Sequence, residues 1–177
     1  MIDIGTDRLL LRLVPLAGLA ATAANDLPAC RRLIGMGLTE DWLEDSWVAK
    51  MRLDQWKEDP AYAPWSIRAI AERQSGAIVG YMNAHDRPRD FSHGGETGPV
   101  VEIGYTIFGP WRRRGYATEM IGGFARFAKQ KGVRWIRLSI SPDNAASLAL
   151  ARKLHARKTG SHIDEIDGLE DIYLLDL

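Results

Sequence analysis

Along the chain the spacing of hydrophobic positions changes repeatedly, and each change marks an element. Leu9, Leu11 and Leu13 alternate with Arg8 and Arg12, the period of a half-buried strand entered from Thr6-Asp7. Leu43, Trp47 and Met51 recur every fourth residue, which predicts one helical face, and Pro60 closes that segment. Ser66 to Glu72 and Ala77 to Asn83 flank Arg73-Gln74-Ser75-Gly76 and read as a β-hairpin. The stretch from His85 to Pro99, dense in Gly, Pro and charge, reads as one long loop. Val101, Ile103, Tyr105 and Ile107 then line one face of a strand, with Glu102, Gly104 and Thr106 on the other.

A helix follows, with Met120, Ile121, Phe124, Phe127 and Ala128 on one face and a stop at Lys131-Gly132. Val133 to Ser141 returns to period two, so strand, helix and strand make a βαβ unit with parallel strands and a right-handed crossover. Pro142-Asp143-Asn144 opens a second helix through Leu154, and Ile163 to Leu177 reads as a final hairpin about Asp167-Gly168. The predicted class is mixed α/β (α+β), a mostly antiparallel central sheet with one parallel pair, flanked by helices.

At 177 residues the chain fits one domain, 1–177, at about 150 residues per domain. It is long enough to fold without a metal or disulfide. Lys and Arg number 23 and Asp and Glu number 23, and this zero net charge argues against a nucleic-acid or membrane-surface binder. Cys30 is the single cysteine, which excludes an intramolecular disulfide or a cysteine-based zinc site. With no His or Asp beside it in sequence, it is no candidate nucleophile. His85 and His93 fall in the loop and His162 stands alone, so no metal site is expected. No apolar run reaches the roughly 20 residues of a membrane span, and MIDIGTDRLLLRL lacks the pattern of a signal peptide. The expected compartment is the cytoplasm.

Locally the charge is uneven. Arg112 to Arg137 holds eight basic residues against Glu119 alone, and Asp164 to Leu177 holds six acids and no base. Arg126, Lys129 and Lys131 fit a solvated helix face. Arg112, Arg113 and Arg114 differ because they lie between strand and helix, in Gly109-Pro-Trp-Arg-Arg-Arg-Gly115-Tyr-Ala-Thr118. There the backbone N–H groups converge at a helix N-terminus, and Gly115 lets the chain approach an anion closely. The segment is neither a Walker A loop nor a G-x-G-x-x-G fingerprint. It suits a diphosphate-containing cofactor better than a phosphoryl donor.

Arg112-Arg-Arg-Gly115-Tyr-Ala117 resembles the coenzyme A pyrophosphate loop, Q/R-x-x-G-x-G/A, of the GNAT superfamily of N-acetyltransferases. EIGYTIF before it (Glu102 to Phe108), ATEM after it and Asn144-Ala-Ala-Ser147 downstream are similar to the branch acting on ribosomal-protein N-termini, as is TDRLLLRLVP at the start. The resemblance implies the GNAT fold, with its parallel pair splayed, and acetyl-CoA as donor. Backbone groups of Tyr105, Thr106 and Ile107 would take the pantetheine and acetyl group. Arg113, Arg114, Gly115, Tyr116, Ala117 and Thr118 would take the pyrophosphate, flanked by Arg112. Glu102 would deprotonate the acceptor ammonium through water or only hold it, because an amine near pKa 10 is mostly protonated at neutral pH. An exposed strand carboxylate is the rival account of Glu102.

Asn144 is a helix N-cap by default, to which the resemblance adds a pantetheine hydrogen bond. Ser147 would protonate the departing thiolate, with ordered water as substitute. Relatives place a tyrosine where Ala151 stands, and Leu-Gly-Phe where Leu154-His155-Ala156 stands. The latter bears on the turn after the last helix, where His155 is an acceptor-side group or an exposed helix end. Trp42, Trp47 and Trp56 share a stretch with Glu40, Asp41, Glu44, Asp45, Glu58 and Asp59. The resemblance implies that this region and the loop at Ala84 to Pro99 border the acceptor, so it reads either as an acidic, aromatic-flanked mouth for a cationic amine or as an acidic solvent face. The implied reaction moves an acetyl group from acetyl-CoA to a primary amine, small molecule or peptide N-terminus, by direct attack in a ternary complex. The alternative is a non-catalytic acyl-CoA-binding or interaction module on the same fold. Oligomeric state, a homodimer included, has no signature in the sequence.

Overall fold

The computed structural model describes residues 3–164 and 168–177. In chain order the elements are β1 (Ile4–Gly5), β2 (Leu9–Leu13), α1 (Leu16–Ala23), α2 (Leu27–Leu33), α3 (Ser46–Glu58), β3 (Arg68–Glu72) and β4 (Ile78–Ala84). There follow β5 (Arg89–His93), β6 (Glu96–Ile107), α4 (Tyr116–Gln130), β7 (Trp135–Ile140), α5 (Ala145–Lys153), β8 (Arg157–Asp164) and β9 (Gly168–Asp176). Short 3-10 helices lie at Glu40–Leu43, Pro60–Trp65 and Gly109–Trp111. The chain divides into two compact units, Met1–Arg87 with Tyr105–Gly123, and Pro88–Gly104 with Phe124–Leu177.

In the first unit β1 to β4 pair antiparallel in sequence order, and β6 follows β4. The leucine alternation of β2 is realised: Leu9 and Leu11 are fully buried, each contributing about 1.5–3 kcal/mol on leaving water. Val14, Leu19, Cys30, Leu38, Trp42 and Ile67 belong to a second buried cluster, against which Leu10 of β2 packs. Two arginines of this unit are buried as well. Arg68 donates to the carbonyls of Leu11 and Pro64, and Arg52 donates to Asn83 Oδ1, Gln55 Oε1 and the His85 carbonyl. Burial pushes both guanidinium groups below their ordinary pKa, Arg68 down to about 10. The face expected from Leu43, Trp47 and Met51 is corrected. Leu43 ends a 3-10 helix, while α3 buries Ala49, Arg52 and Leu53 and leaves Trp47 and Met51 exposed.

In the second unit β5 and β6 form an antiparallel hairpin, with His93 opposite Glu96 and Gly94-Gly95 as its two-residue turn. The loop expected over His85 to Pro99 is therefore mostly strand, and Gly-Gly between two extended runs is a hairpin signal. β6 pairs parallel with β7 over Val100↔Trp135, Val101↔Ile136 and Glu102↔Arg137. β7 pairs antiparallel with β9, and β9 with β8. The last hairpin is longer than expected, since its first strand starts at Arg157 rather than Ile163. Of its expected turn, Asp167 lies outside the described residues. The strand order is β1-β2-β3-β4-β6-β7-β9-β8 with β5 on β6, a mostly antiparallel sheet with one parallel pair, as expected. No helix among the described residues is long and apolar enough to cross a membrane.

Three helices end alike. After α1, Asn25 N–H bonds the Thr22 carbonyl and Asp26 N–H that of Ala21; after α4, Gly132 and Val133 bond Lys129 and Ala128. After α5, His155 and Ala156 bond Arg152 and Ala151. The residues at the turn, Asn25, Gly132 and His155, are all left-handed, with φ of 55°, 83° and 57°. The usual turn thus survives at Leu154-His155-Ala156, with a histidine in the conformation glycine adopts most readily.

Candidate functional site

The first unit carries the turn between β6 and α4. Phe108 N–H bonds the Val79 carbonyl at 2.9 Å and ties the end of β6 to β4. The strands approach so closely that a Cβ on Gly80 would collide with the Thr106 carbonyl oxygen. Past the 3-10 helix, Arg112 turns back and its Nε donates to the Ile107 carbonyl at 2.8 Å. Arg114 Nη2 donates to the Pro110 carbonyl at 3.0 Å, and the guanidinium lies 4.8 Å over the Trp111 ring. These two side chains brace their own turn. Arg113 and Gly115 are left-handed, with φ of 62° and 81°, and Glu119 N–H bonds the Gly115 carbonyl at 3.1 Å. Gly115 is therefore the residue at which α4 begins. The N–H groups of Tyr116, Ala117 and Thr118 occupy the first turn, where no intrahelical partner exists. Exposed arginines beside these donors give a cradle for a polyanion.

Sequence reasoning missed what stands behind this turn. Glu119 Oε1 accepts from Thr6 Oγ1 at 2.6 Å and from Arg8 N–H at 2.7 Å, and Oε2 accepts from Arg8 Nε at 2.7 Å. Burial would raise the Glu119 carboxyl, but the bonds from Thr6 and Arg8 outweigh it and hold the group below the usual carboxylate range. The available signal was the lone acid among eight bases.

The first unit also holds a small solvent-open recess, with room for about one water, lined by Thr22, Trp42, Asp45, Val48, Ile67 and Tyr81, among others. Tyr81 donates its hydroxyl to Asp45 Oδ2 at 2.6 Å and hydrogen-bonds Thr106. Burial, then Asp45, push this phenol well above its ordinary pKa. Asp45 stands at the N-cap position of α3 with no capping bond from its side chain; its carboxylate accepts from the Tyr81 hydroxyl instead. Cys30 is buried against Thr22, and burial first among the causes raises its thiol, which removes it as a thiolate nucleophile.

The second unit carries the other candidates. Glu102 is not an exposed strand carboxylate. Its side chain is 24% accessible, Ser139 donates to Oε1 at 2.7 Å, and Arg137 Nε lies 3.2 Å from Oε2. The β6–β7 register brings these together, with Arg137 opposite Glu102 and Ser139 two residues on. Asn144 is the N-cap of α5, its Oδ1 accepting from Ser147 N–H at 3.0 Å. Ser147 is half-buried in the first turn, and Ala151, where relatives place a tyrosine, is fully buried. His162 does not stand alone. It lies 3.6 Å from Glu170 across the β8–β9 hairpin, and Asp164 shares that cluster.

Residues 8–157 match the acetyltransferase (GNAT) domain. Solved structures with the same fold include the ribosomal-protein-S5-alanine acetyltransferase of Vibrio fischeri, 13% identical over 99% of this chain and 97% of that one, with a TM-score of 0.65. RimJ of Mycobacterium smegmatis, in complex with CoA-disulfide, is 17% identical over 99% and 87%, with a TM-score of 0.62. The microcin C7 self-immunity acetyltransferase MccE, in complex with acetyl-CoA and AMP, is 15% identical over 97% and 94%, with a TM-score of 0.64. The match spans the β6–α4 turn and the β7–α5 segment together, and the chain belongs to the GNAT acetyltransferase family.

Proposed function

We propose that residues 1–177 act as one catalytic domain in the cytoplasm, transferring the acetyl group of acetyl-CoA to a primary amine by direct attack in a ternary complex. The observation that carries this reading is the Arg112–Thr118 turn, a polyanion cradle at the position of the family's coenzyme A motif. The donor supplies a thioester already activated toward amines. Arg113 to Thr118 hold its pyrophosphate, Tyr105 to Ile107 orient its pantetheine and acetyl group by their backbone, and Asn144 adds a pantetheine contact. Holding the reactants in a near-attack pose supplies much of the rate. Glu102 takes a proton from the acceptor ammonium through water, or holds that ammonium, and Ser147 or water protonates the departing sulfur. The acidic, tryptophan-containing stretch around Asp45 supports a cationic acceptor, small amine or peptide N-terminus.

Isothermal titration with acetyl-CoA, followed by CoA release with panels of amines and peptides, tests the reading. Saturable binding near one site per chain supports it; no binding up to millimolar donor withdraws it. Glu102→Gln is expected to bind acetyl-CoA as the parent does and to lose at least tenfold in kcat. One observation favours a second reading, a non-catalytic acyl-CoA-binding module: both Glu102 oxygens are already engaged by Ser139 and Arg137. Donor binding without transfer to any amine would select it.

A further inference from the structure

We infer that Arg8, mounted on Glu119, is a positioning residue that fixes the anion-binding turn and so governs affinity for the pyrophosphate end of the donor. The inference rests on the acetyl-CoA reading above. Arg8 lies more than a hundred residues before the turn in sequence, yet its Nη1 donates to the Arg114 carbonyl at 3.0 Å. Arg114 is the residue between the two left-handed positions. Arg8 Cζ lies 4.8 Å over the Tyr116 ring, and its Nη2 would lie 3.4 Å from a Cβ placed on Gly115. One guanidinium thus touches the turn before, at and after Gly115.

An exposed ion pair is ordinarily worth little, because both side chains must be ordered to make it. This mount differs because Glu119 is only 17% accessible, and its Oε1 is shared by the Thr6 hydroxyl and the Arg8 N–H. Its backbone bond fixes where Arg8 starts and its Nε bond fixes where the guanidinium points. A left-handed non-glycine residue such as Arg113 is strained and persists only where its surroundings over-determine it. Arg112 and Arg114 brace the turn from within; Arg8 supplies a brace from outside and sets a positive charge beside Gly115.

The test uses the full chain with three probes: acetyl-CoA, S-acetylpantetheine, which lacks the pyrophosphate, and inorganic pyrophosphate. Arg8→Gln and Glu119→Gln are expected to weaken acetyl-CoA and pyrophosphate binding about tenfold, the loss of one charge-assisted hydrogen bond. Both should leave kcat at saturating donor and kcat/KM for S-acetylpantetheine within twofold of the parent. Arg8→Lys should recover part of the affinity, keeping charge without the forked geometry. Parent-like acetyl-CoA affinity in folded Arg8→Gln would overturn the inference, and so would equal losses on acetyl-CoA and S-acetylpantetheine, which mark a structural role alone. If the parent binds pyrophosphate but not acetyl-CoA, the acetyl-transfer reading falls and Arg8→Gln is judged against pyrophosphate. Parent protein that binds neither overturns both.

Discussion

Glu119 sits in the first turn of α4, where the helix dipole already favours a negative charge, and Thr6 and Arg8 add three hydrogen bonds to it. Its carboxyl titrates lower in the folded chain than in the unfolded one. The stability it contributes is therefore complete above about pH 4.5 and drains away as the pH falls through the folded value. Melting temperatures measured from pH 7 down to pH 3 should drop below that point in the parent. In Glu119→Gln they should start lower and fall less steeply; parallel curves would remove Glu119 from the acid limb. None of this pairing follows from spacing, because its partners are more than a hundred residues apart. The Arg112–Ala117 motif was legible for the opposite reason: strand end, glycine and helix start lie within a few consecutive residues. Glu102 falls between these cases, since its strand face was readable while Arg137 and Ser139 depend on the register of a parallel neighbour.

β2, whose burial alternates with period two, and the β3–β4 hairpin were predicted well, whereas the buried face of α3 and the β5–β6 hairpin were not. α3 turns toward the core a face centred on Ala49, Arg52 and Leu53, two residues off the face that Trp47 and Met51 suggest. Arg52 can be buried because three acceptors satisfy its guanidinium, a condition hydrophobic periodicity does not register. The β5–β6 hairpin was hidden because Arg89, Asp90, Ser92 and Glu96 face solvent, so charge density masked the strand. At the end of α5, His155 pays for a left-handed turn that Gly132 makes freely after α4. Replacing it, His155→Gly, should stabilise the chain by about 0.5–1 kcal/mol, raising the melting temperature by roughly 1–4 °C. A fall on thermal denaturation would mean that the imidazole makes a contact worth more than the strain it bears.

At the scale of the molecule, β6 and α4 each run through both compact units, so the candidate donor-binding groups from Tyr105 to Thr118 belong to one unit. Glu102, Asn144 and Ser147 belong to the other. Fold class and strand sequence could be read because hairpins and a βαβ crossover are local signals. The recess at Asp45 and Tyr81 could not be read, because it gathers residues from four separate stretches of chain.

The lack of room for a side chain at Gly80 has a consequence for how this sequence can drift. Any side chain there pushes on the carbonyl of Thr106, one of the groups expected to orient the acetyl end of the donor. A saturation scan read out by turnover should therefore find one of its least tolerant positions at a residue that bears no chemistry. Gly80→Ala, a change of one methyl group, should rank with substitutions at Gly115, whereas tolerance of alanine there would show that β4 and β6 can part without harm. Selection on this protein would then be recorded as much in what one position lacks as in what the reactive positions carry.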